Sequence, residues 1–197
     1  MKTNLTTKIM FLTIIVAGSA CLPSSKNDKS ENCEEQFPDV EQWTLITDEN
    51  ILSKFGPFPQ SGYLNADGDT IIPFDTYRCL SDTFKYYGLI QDIQGDYNMY
   101  GIDKAGKKLF EAVPDGEGYA TIEYDGRIMI QKNGKYGYAN HKGEIVIQPQ
   151  YSCAENFNNG RARVSNQCQK SKDEHYMWES NNWIYIDRCG NEIEPKK

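Results

Sequence analysis

Apolar and polar residues alternate in short runs along much of the chain, and glycine-containing turns separate these runs. In GRARV, which begins at Gly160, Ala162 and Val164 share one face of a strand, while Arg161 and Arg163 share the other. The chain has 13 tyrosines and 16 glycines, and these residues favour strands and tight turns respectively. No long stretch shows a sustained helical period. The pattern therefore predicts an all-β fold.

One hexapeptide occurs four times in related forms, which end at Gly68, Gly106, Gly143 and Gly190. The copies read YLNADG, GIDKAG, YANHKG and YIDRCG. The third position is always Asn or Asp, whose side chain can accept a hydrogen bond from a backbone N–H two residues further on. The sixth position is always glycine, which tolerates the positive φ of a tight hairpin turn. Their spacing of roughly 40 residues indicates a tandem repeat.

Each hexapeptide is predicted to end one strand and to lead into a returning strand. The returning strands are TII from Thr70, KKLF from Lys107 and EIVI from Glu144, and Pro73 and Pro149 are expected to end two of them. A third strand is expected to open at each of three glycines: Gly88, Gly118 and Gly160. Aromatic residues between these strands are expected to fill the core: Tyr77, Tyr151, Phe84 and Phe157. Each unit is thus a predicted sheet of three antiparallel strands.

The segment before the first hexapeptide is less regular. Residues 43–46 and 51–55 are predicted to form two strands around a turn at Asp48, Glu49 and Asn50. GPFP, residues 56–59, predicts a further turn. We expect this segment to complete or cap the first unit, because terminal repeats need a modified outer face.

Residues 134–164, from GKYGYANHKGEIVIQPQY to FNNGRARV, resemble nearly a full unit of the WG-containing (KWG) repeat family of bacterial proteins. Residues 61–92 and 98–122 match less completely, and residues 183–193 resemble a half unit that would cap the array. We expect these tandem three-stranded antiparallel units to form an open curved array, because too few units are present to close a ring. A closed, propeller-like ring is one alternative, and an unrelated all-β sandwich is another.

The resemblance covers a predicted β domain at residues 37–197. Tyr136 stands where the family has its tryptophan, as do Ser61 and Met99 in other copies, and only Trp183 keeps the tryptophan. The copies are therefore degenerate. The resemblance implies a non-catalytic binding or scaffold module.

Residues 1–20 resemble a bacterial lipoprotein signal peptide. Two lysines precede an apolar run at residues 9–17 that is too short to span a bilayer, and the lipobox GSAC ends at Cys21. The resemblance implies cleavage before Cys21 and attachment of acyl chains such as palmitate, two or three of which give lasting membrane attachment. The alternative is an ordinary secretory signal that is cleaved after Ala20 and leaves Cys21 unmodified.

Residues 21–36 are polar and are predicted to form a disordered tether between the lipidated cysteine and the β domain. Leu22, not Asp, follows Cys21. Because Asp at that position marks inner-membrane retention in many Gram-negative bacteria, the resemblance favours the outer membrane. The expected location is the bacterial cell envelope. The choice between inner and outer membrane, and the side that the domain faces, stay open.

The last repeat is longer than the others, and the extra length falls between Val164 and Trp183. This insertion predicts an extended hairpin with its tip near residues 170–174. Three aromatic residues follow outside the repeat pattern and are candidate ligand-binding residues: His175, Tyr176 and Trp178. Repeat proteins often place such additions on the binding face. The favoured interpretation is nevertheless a cover that shields the last strand edge from pairing with other chains.

The five cysteines besides Cys21 are an odd number, so at least one stays free or bonds another molecule. They are Cys33, Cys79, Cys153, Cys168 and Cys189. Cys79 and Cys153 occupy matching places two units apart, which is too far for a disulfide in an open array. The connectivity stays open.

No motif for catalysis, a metal or a cofactor is present, so we expect a protein that is not an enzyme. The two histidines have no metal-ligand spacing, and His141 falls in a repeat turn, where we expect it to be solvated. The net charge of −7 disfavours nucleic acid as a partner.

The favoured function is a lipid-anchored binding or scaffold module for a protein of the envelope. The alternative is a glycan- or cell-wall-binding module that uses aromatic repeat faces. A glycan module needs aromatic rings aligned in solvent, whereas a scaffold would bury the repeat tyrosines Tyr63, Tyr138 and Tyr185 in its core.

Overall fold

A computed structural model describes residues 39–114, 123–171 and 178–195. Across these ranges the chain forms 17 strands and no helix, so the predicted all-β class is confirmed. The strands are β1 (Trp43–Leu52), β2 (Pro59–Leu64), β3 (Thr70–Ile72), β4 (Arg78–Cys79), β5 (Thr83–Phe84), β6 (Gly88–Gln91), β7 (Met99–Ile102), β8 (Lys108–Ala112), β9 (Arg127–Lys132), β10 (Lys135–Asn140), β11 (Ile145–Tyr151), β12 (Cys153–Ala154), β13 (Arg161–Ser165), β14 (Gln169–Lys170), β15 (Trp178–Glu179), β16 (Ile184–Asp187) and β17 (Glu192–Ile193).

Four three-stranded antiparallel meanders form the body of the fold. They consist of β1–β2–β3, β6–β7–β8, β9–β10–β11 and β13–β16–β17, and we number them first to fourth. Pairing of β8 with β9 joins the second and third meanders, which with β4 form a seven-stranded sheet. β5 extends the first meander, β12 extends the fourth, and β14 pairs only with β15. The strand order of every sheet is linear.

The structural unit is shifted along the chain relative to the predicted one. β6 and β13 are the predicted third strands GLIQ and GRARV, but each pairs with the first strand of the next hexapeptide. The predicted strand from Gly118 lies outside the described residues. In the third meander the strand before the hexapeptide is β9, which the sequence analysis did not predict. Pairing of each such strand with the hexapeptide that follows it, and not grouping within the predicted repeat, therefore defines these sheets.

All four hexapeptides form the same turn between the second and third strands of a meander. In the third meander, Asn140 Oδ1 accepts hydrogen bonds from the backbone N–H groups of Lys142 at 2.9 Å and Glu144 at 3.0 Å. The N–H of Gly143 donates to the Asn140 carbonyl oxygen at 2.9 Å. The turn glycines have φ between +77° and +88°. Equivalent side-chain bonds are made in the other turns by Asn65, Asp103 and Asp187.

Successive meanders pack face to face, and one hydrophobic cluster fills each of the three interfaces. Because neighbouring strand positions point to opposite faces, each inner meander contributes to two clusters. In the third meander, Tyr138 points to the fourth and packs with Ala162 and Ile186. Ile128, on the other face, belongs to the cluster shared with the second meander. Tyr63 has the same role as Tyr138 between the first and second meanders.

A tyrosine and a phenylalanine form an equivalent pair in two of these interfaces. The ring centroids of Tyr138 and Phe157 are 4.8 Å apart at 77°, and those of Tyr63 and Phe84 are 5.4 Å apart at 79°. Each tyrosine hydroxyl donates to a backbone carbonyl oxygen further along the chain, at 2.6 and 2.7 Å. The buried hydroxyls are therefore satisfied, as buried tyrosines require. Phe84 and Phe157 fill the core as predicted.

Two strand boundaries differ from the prediction. β1 is one strand from Trp43 to Leu52 and not two strands. The predicted irregularity lies inside it as a bulge, because residues 49–51 have no partner in β2 and the N–H of Asn50 donates to Asp48 Oδ1 at 3.0 Å. Because β1 pairs with β2, this segment completes the first meander as predicted. Pro73 follows β3 and ends it, but Pro149 lies inside β11. β11 tolerates a proline because it is an edge strand with register shifts against β10.

The cysteines fall into three environments. Cys153 is disulfide-bonded to Cys168, which closes a loop that contains β13. Cys79 is a buried free thiol, so it forms no bond with its counterpart Cys153, as predicted. Cys189 is also disulfide-bonded.

Alkaline titration is expected to unfold the protein. Burial raises the pKa of the Cys79 thiol from 9.0 to about 12, and burial likewise raises the pKa of Tyr63, Tyr87 and Tyr138 above the ordinary 10.0. Each group is neutral when protonated, so its contribution to stability is complete below the unfolded-state pKa and is lost as the pH rises through the folded-state pKa. We expect the free energy of unfolding to fall from pH 9.0 upward.

Phenolate absorbance, which monitors tyrosine ionisation, should then appear together with the loss of the β-sheet circular dichroism signal. The matched variant Cys79→Ala removes the thiol and should move the onset toward the ordinary tyrosine pKa of 10.0. Full phenolate absorbance in a protein that keeps its native circular dichroism would contradict the burial of these phenols.

Candidate functional site

The fourth meander has one face that no other described meander covers. Pairing places Arg163 opposite Tyr185, just as it places Met129 opposite Tyr138 in the third meander. Tyr138 is fully buried because the fourth meander packs over it, whereas Tyr185 is only half-buried. The burial that distinguishes a scaffold from a glycan module is therefore found for Tyr63 and Tyr138 but not for Tyr185. We call the uncovered side the outer face.

Two arginines and two aromatic rings occupy the outer face. The guanidinium of Arg161 lies 5.7 Å from the ring centroid of Tyr185, and that of Arg163 lies 5.0 Å from the ring centroid of Trp183. A cation above an aromatic ring is attracted by the ring quadrupole, so these contacts hold the guanidinium groups in place. On the opposite face of β13, Ala162 is buried against the third meander. The alternation predicted for GRARV thus separates the core from the outer face.

An open pocket of about 470 Å³ lies on the outer face, and we call it the outer-face pocket. Its polar lining consists of three amides, two guanidinium groups, one carboxylate and one phenol: Asn156, Asn158, Asn159, Arg161, Arg163, Glu155 and Tyr185. This lining offers many hydrogen-bond donors to a ligand, and a guanidinium group can hold a carboxylate by two hydrogen bonds.

The two arginines of the pocket differ in electrostatic environment. Glu155 accepts two hydrogen bonds from Arg163, one of them from Nε at 2.7 Å, and this pairing raises the pKa of Arg163 above its ordinary value. Within the described part of the chain, Arg161 forms no ion pair. The pocket therefore carries one uncompensated positive charge on a protein whose net charge is −7.

The loop that precedes β13 forms one wall of the pocket and is held in several ways. Phe157 anchors the loop in the core. Asn158 and Arg161 exchange backbone hydrogen bonds of 2.8 and 3.3 Å across a two-residue turn, in which Gly160 has φ of +78°. The N–H of Gly160 also donates to the Asp125 carboxylate at 2.8 Å. With the disulfide that closes around it, this wall is preorganised for binding.

Of the predicted ligand-binding residues, the structure describes only Trp178. His175 and Tyr176 lie outside the described residues, and so does the predicted lipidation site Cys21. Trp178 belongs to β15, whose pairing with β14 confirms the stem of the predicted hairpin. Its ring contacts Tyr136 of β10 edge-on at 5.9 Å between centroids. Trp178 therefore packs against the third meander and lies outside the outer-face pocket.

In two of the turns, the residue at the fourth position of the hexapeptide contacts a neighbouring part of the array. His141 Nδ1 lies 2.9 Å from the Glu123 carboxylate, and its ring contacts Tyr86. The ammonium group of Lys104, at the equivalent position, lies 5.0 Å from the ring centroid of Trp43 in the first meander. His141 is thus exposed in a repeat turn, as predicted, and its contacts with Glu123 and Tyr86 show that turn tips also link parts of the array.

A second open pocket, of about 520 Å³, lies beside the β14–β15 stem. It is lined mainly by side-chain amides, among them Gln167, Gln169, Asn181 and Asn182. In the ranges that the structure describes, no three His, Cys, Asp or Glu side chains come together as a metal site. No helix in those ranges is long and apolar enough to cross a membrane.

The alternation in GRARV predicts that Arg161 and Arg163 share one strand face, but it does not identify them as part of a site. A compositional signal was present, because three of the five arginines of the chain fall within the fourth meander: Arg161, Arg163 and Arg188. The position of this face at the end of the stack is a property of the tertiary structure, and the sequence pattern did not contain it.

A model of the WG-containing repeat family matches residues 136–167. The match spans β10 to β13 and includes the turn at Gly143, the Tyr138–Phe157 pair and both pocket arginines. It supports a WG-repeat family for this chain. Comparison with curated proteins and with solved structures finds no match.

Proposed function

We propose that this chain is a lipid-anchored, non-enzymatic protein of the bacterial cell envelope that binds an envelope protein through the outer face of its fourth meander. One observation carries the proposal. The outer face is the counterpart of the faces through which the meanders bind one another, but it presents a polar pocket on a braced sheet in place of an apolar surface. A preorganised polar surface with embedded aromatic and arginine side chains is typical of protein interfaces.

The burial of the repeat tyrosines supports a protein partner over a glycan. Tyr63 and Tyr138 are fully buried, so they offer no ring to a sugar. Tyr185 and Trp183 are partly exposed, but guanidinium groups lie over their rings. A glycan module would instead need aromatic faces aligned in solvent.

The anchor is supported by the lipobox that ends at Cys21 and by the polar tether that follows it. We propose acylation of Cys21, with palmitate among the acyl chains, and the outer membrane as the destination. The test is metabolic labelling with radioactive palmitate, followed by membrane fractionation. Cys21→Ser should lose the label and leave the membrane fraction. Label that persists in this variant would rule out Cys21 as the acylation site.

The partner is tested with the detergent-purified lipoprotein as bait. We expect it to capture a discrete protein from detergent-solubilised envelope and to give no specific signal on a polysaccharide array. Binding to a defined glycan without protein capture would instead establish the alternative, a glycan-binding module.

A further inference from the structure

The charge and hydrogen-bonding capacity of the outer-face pocket indicate the chemistry of its partner. We propose that the pocket binds a carboxylate of an Asp- or Glu-rich protein segment, and that Arg161 is the residue that contacts it. This inference rests on the proposed function and adds the chemical class of the partner.

Arg161 is suited to an external carboxylate because its charge is not neutralised. The neighbouring Arg163 is already held by Glu155 through two hydrogen bonds. Arg161 forms no ion pair with any described residue, and its contact with the Tyr185 ring at 5.7 Å favours one placement of the guanidinium group. An arginine that is positioned in this way can donate two parallel hydrogen bonds to one carboxylate with little loss of side-chain entropy.

The wall of the pocket adds donors next to this positive charge. Asn159 Nδ2 donates to Asn158 Oδ1 at 2.8 Å, which leaves the amide N–H groups of Asn158 directed to other acceptors. Amide donors beside a guanidinium group suit the backbone carbonyl groups that flank an acidic side chain in a peptide. The pocket therefore suits a peptide that carries a carboxylate better than it suits a small isolated anion.

A peptide fits this pocket better than an acidic polysaccharide. The sugar rings of a polysaccharide stack on bare aromatic faces, and the arginines lie over both rings of the outer face. The surrounding protein is acidic overall, with a net charge of −7, so most of its surface repels an acidic segment. An acidic segment would therefore be attracted to the pocket and repelled by most of the surface around it, which fixes where on the protein the segment binds.

The test measures binding of a fluorescein-labelled oligo-glutamate peptide to the full chain by fluorescence anisotropy, with an oligo-glutamine peptide as the neutral probe. We expect oligo-glutamate to bind, oligo-glutamine not to bind, and added salt to weaken the complex. Arg161→Glu should lower the affinity by about ten-fold or more, because it replaces an attractive charge by a repulsive one. Arg161→Lys should retain part of the affinity, since it keeps the charge and loses the two-pronged contact.

Lys107→Glu is the matched control, because Lys107 is exposed in the second turn and the change in charge is the same. It should change the affinity by less than about two-fold, as expected of a surface charge remote from the pocket. Equal losses in the two variants would overturn the inference, and so would polygalacturonate that displaces oligo-glutamate more strongly than unlabelled peptide. If Arg161→Glu still captures the envelope protein as wild type does, this inference fails while the proposed function stands.

Discussion

Gly137→Ala is expected to destabilise the protein by about 3 kcal/mol or more, because overpacking against rigid backbone cannot be relieved by a change of rotamer. A Cβ at this position would lie 2.3 Å from the carbonyl oxygen of Ile147 and 2.6 Å from the nitrogen of Pro149. Both atoms belong to the backbone of β11. Gly62 has the same environment, with the carbonyl oxygen of Ile72 at 2.3 Å, so glycine at this place is a shared requirement of two meanders.

Gly68→Ala is the control for this prediction. Gly68 has φ of +88°, but a Cβ there would meet no atom within 4 Å. Gly68→Ala should therefore lower the free energy of unfolding only by the strain of a left-handed residue, about 1–2 kcal/mol. Urea unfolding of both variants measures the difference. A smaller loss for Gly137→Ala than for Gly68→Ala would show that β11 moves away easily and that the close approach is not a structural requirement.

Phe157→Ala is expected to cost about 3–5 kcal/mol, the range for removing a large aromatic side chain from a packed core. Phe157 is 2% exposed and packs against Tyr138. Because Phe157 also anchors the loop that walls the outer-face pocket, the variant should bind oligo-glutamate more weakly even under conditions where it remains folded.

Phe84→Ala provides the matched comparison. Phe84 packs against Tyr63 in the equivalent geometry, is fully buried and lies two meanders from the pocket. It should cost a similar free energy of unfolding and leave oligo-glutamate binding unchanged in the folded protein. Clearly unequal stability losses, measured by urea unfolding, would contradict the equivalence of the two interfaces. Equal losses of oligo-glutamate binding in Phe84→Ala and Phe157→Ala would contradict the assignment of the outer-face pocket as the binding site.

The turns were predictable because their chemistry is local. An Asn or Asp that bonds two backbone N–H groups, followed by a glycine at positive φ, needs no information from elsewhere in the chain. Asn140 and Gly143 illustrate both requirements, and the structure repeats them in the other three turns. The all-β class followed from the same turns and from the period-two alternation between them.

Which strands belong to the same sheet was not predictable in the same way, because strand pairing joins residues of different repeats. β6 and β13 were predicted as strands, but their partners come from the next hexapeptide. β9 was missed, although two dipeptides that favour two-residue hairpins flank it, Asp125–Gly126 and Asn133–Gly134. The continuous strand β1 was missed because its polar middle resembles a turn. That middle keeps its local hydrogen bond and bulges out of register with β2, and pairing on both sides of it continues the strand.

The candidate site depends on the position of a unit in the stack. Tyr63, Tyr138 and Tyr185 look alike in the sequence, and packing of the following meander buries only the first two. Arg163 marks the difference, because it stands where the third meander has Met129. The place of Arg161 is also held by an arginine in the third meander, Arg127, but there the following meander buries it. Two of the three candidate ligand-binding residues, His175 and Tyr176, lie outside the described residues, and the third, Trp178, packs against the third meander.

The most direct test is photo-crosslinking from the outer face. Arg161→p-benzoylphenylalanine and Lys107→p-benzoylphenylalanine are incorporated separately into the full lipoprotein, mixed with detergent-solubilised envelope and irradiated. We predict a discrete protein adduct from position 161 and none from position 107. The absence of an adduct at position 161, or the same adducts from both positions, would contradict a partner-binding face at the end of the stack.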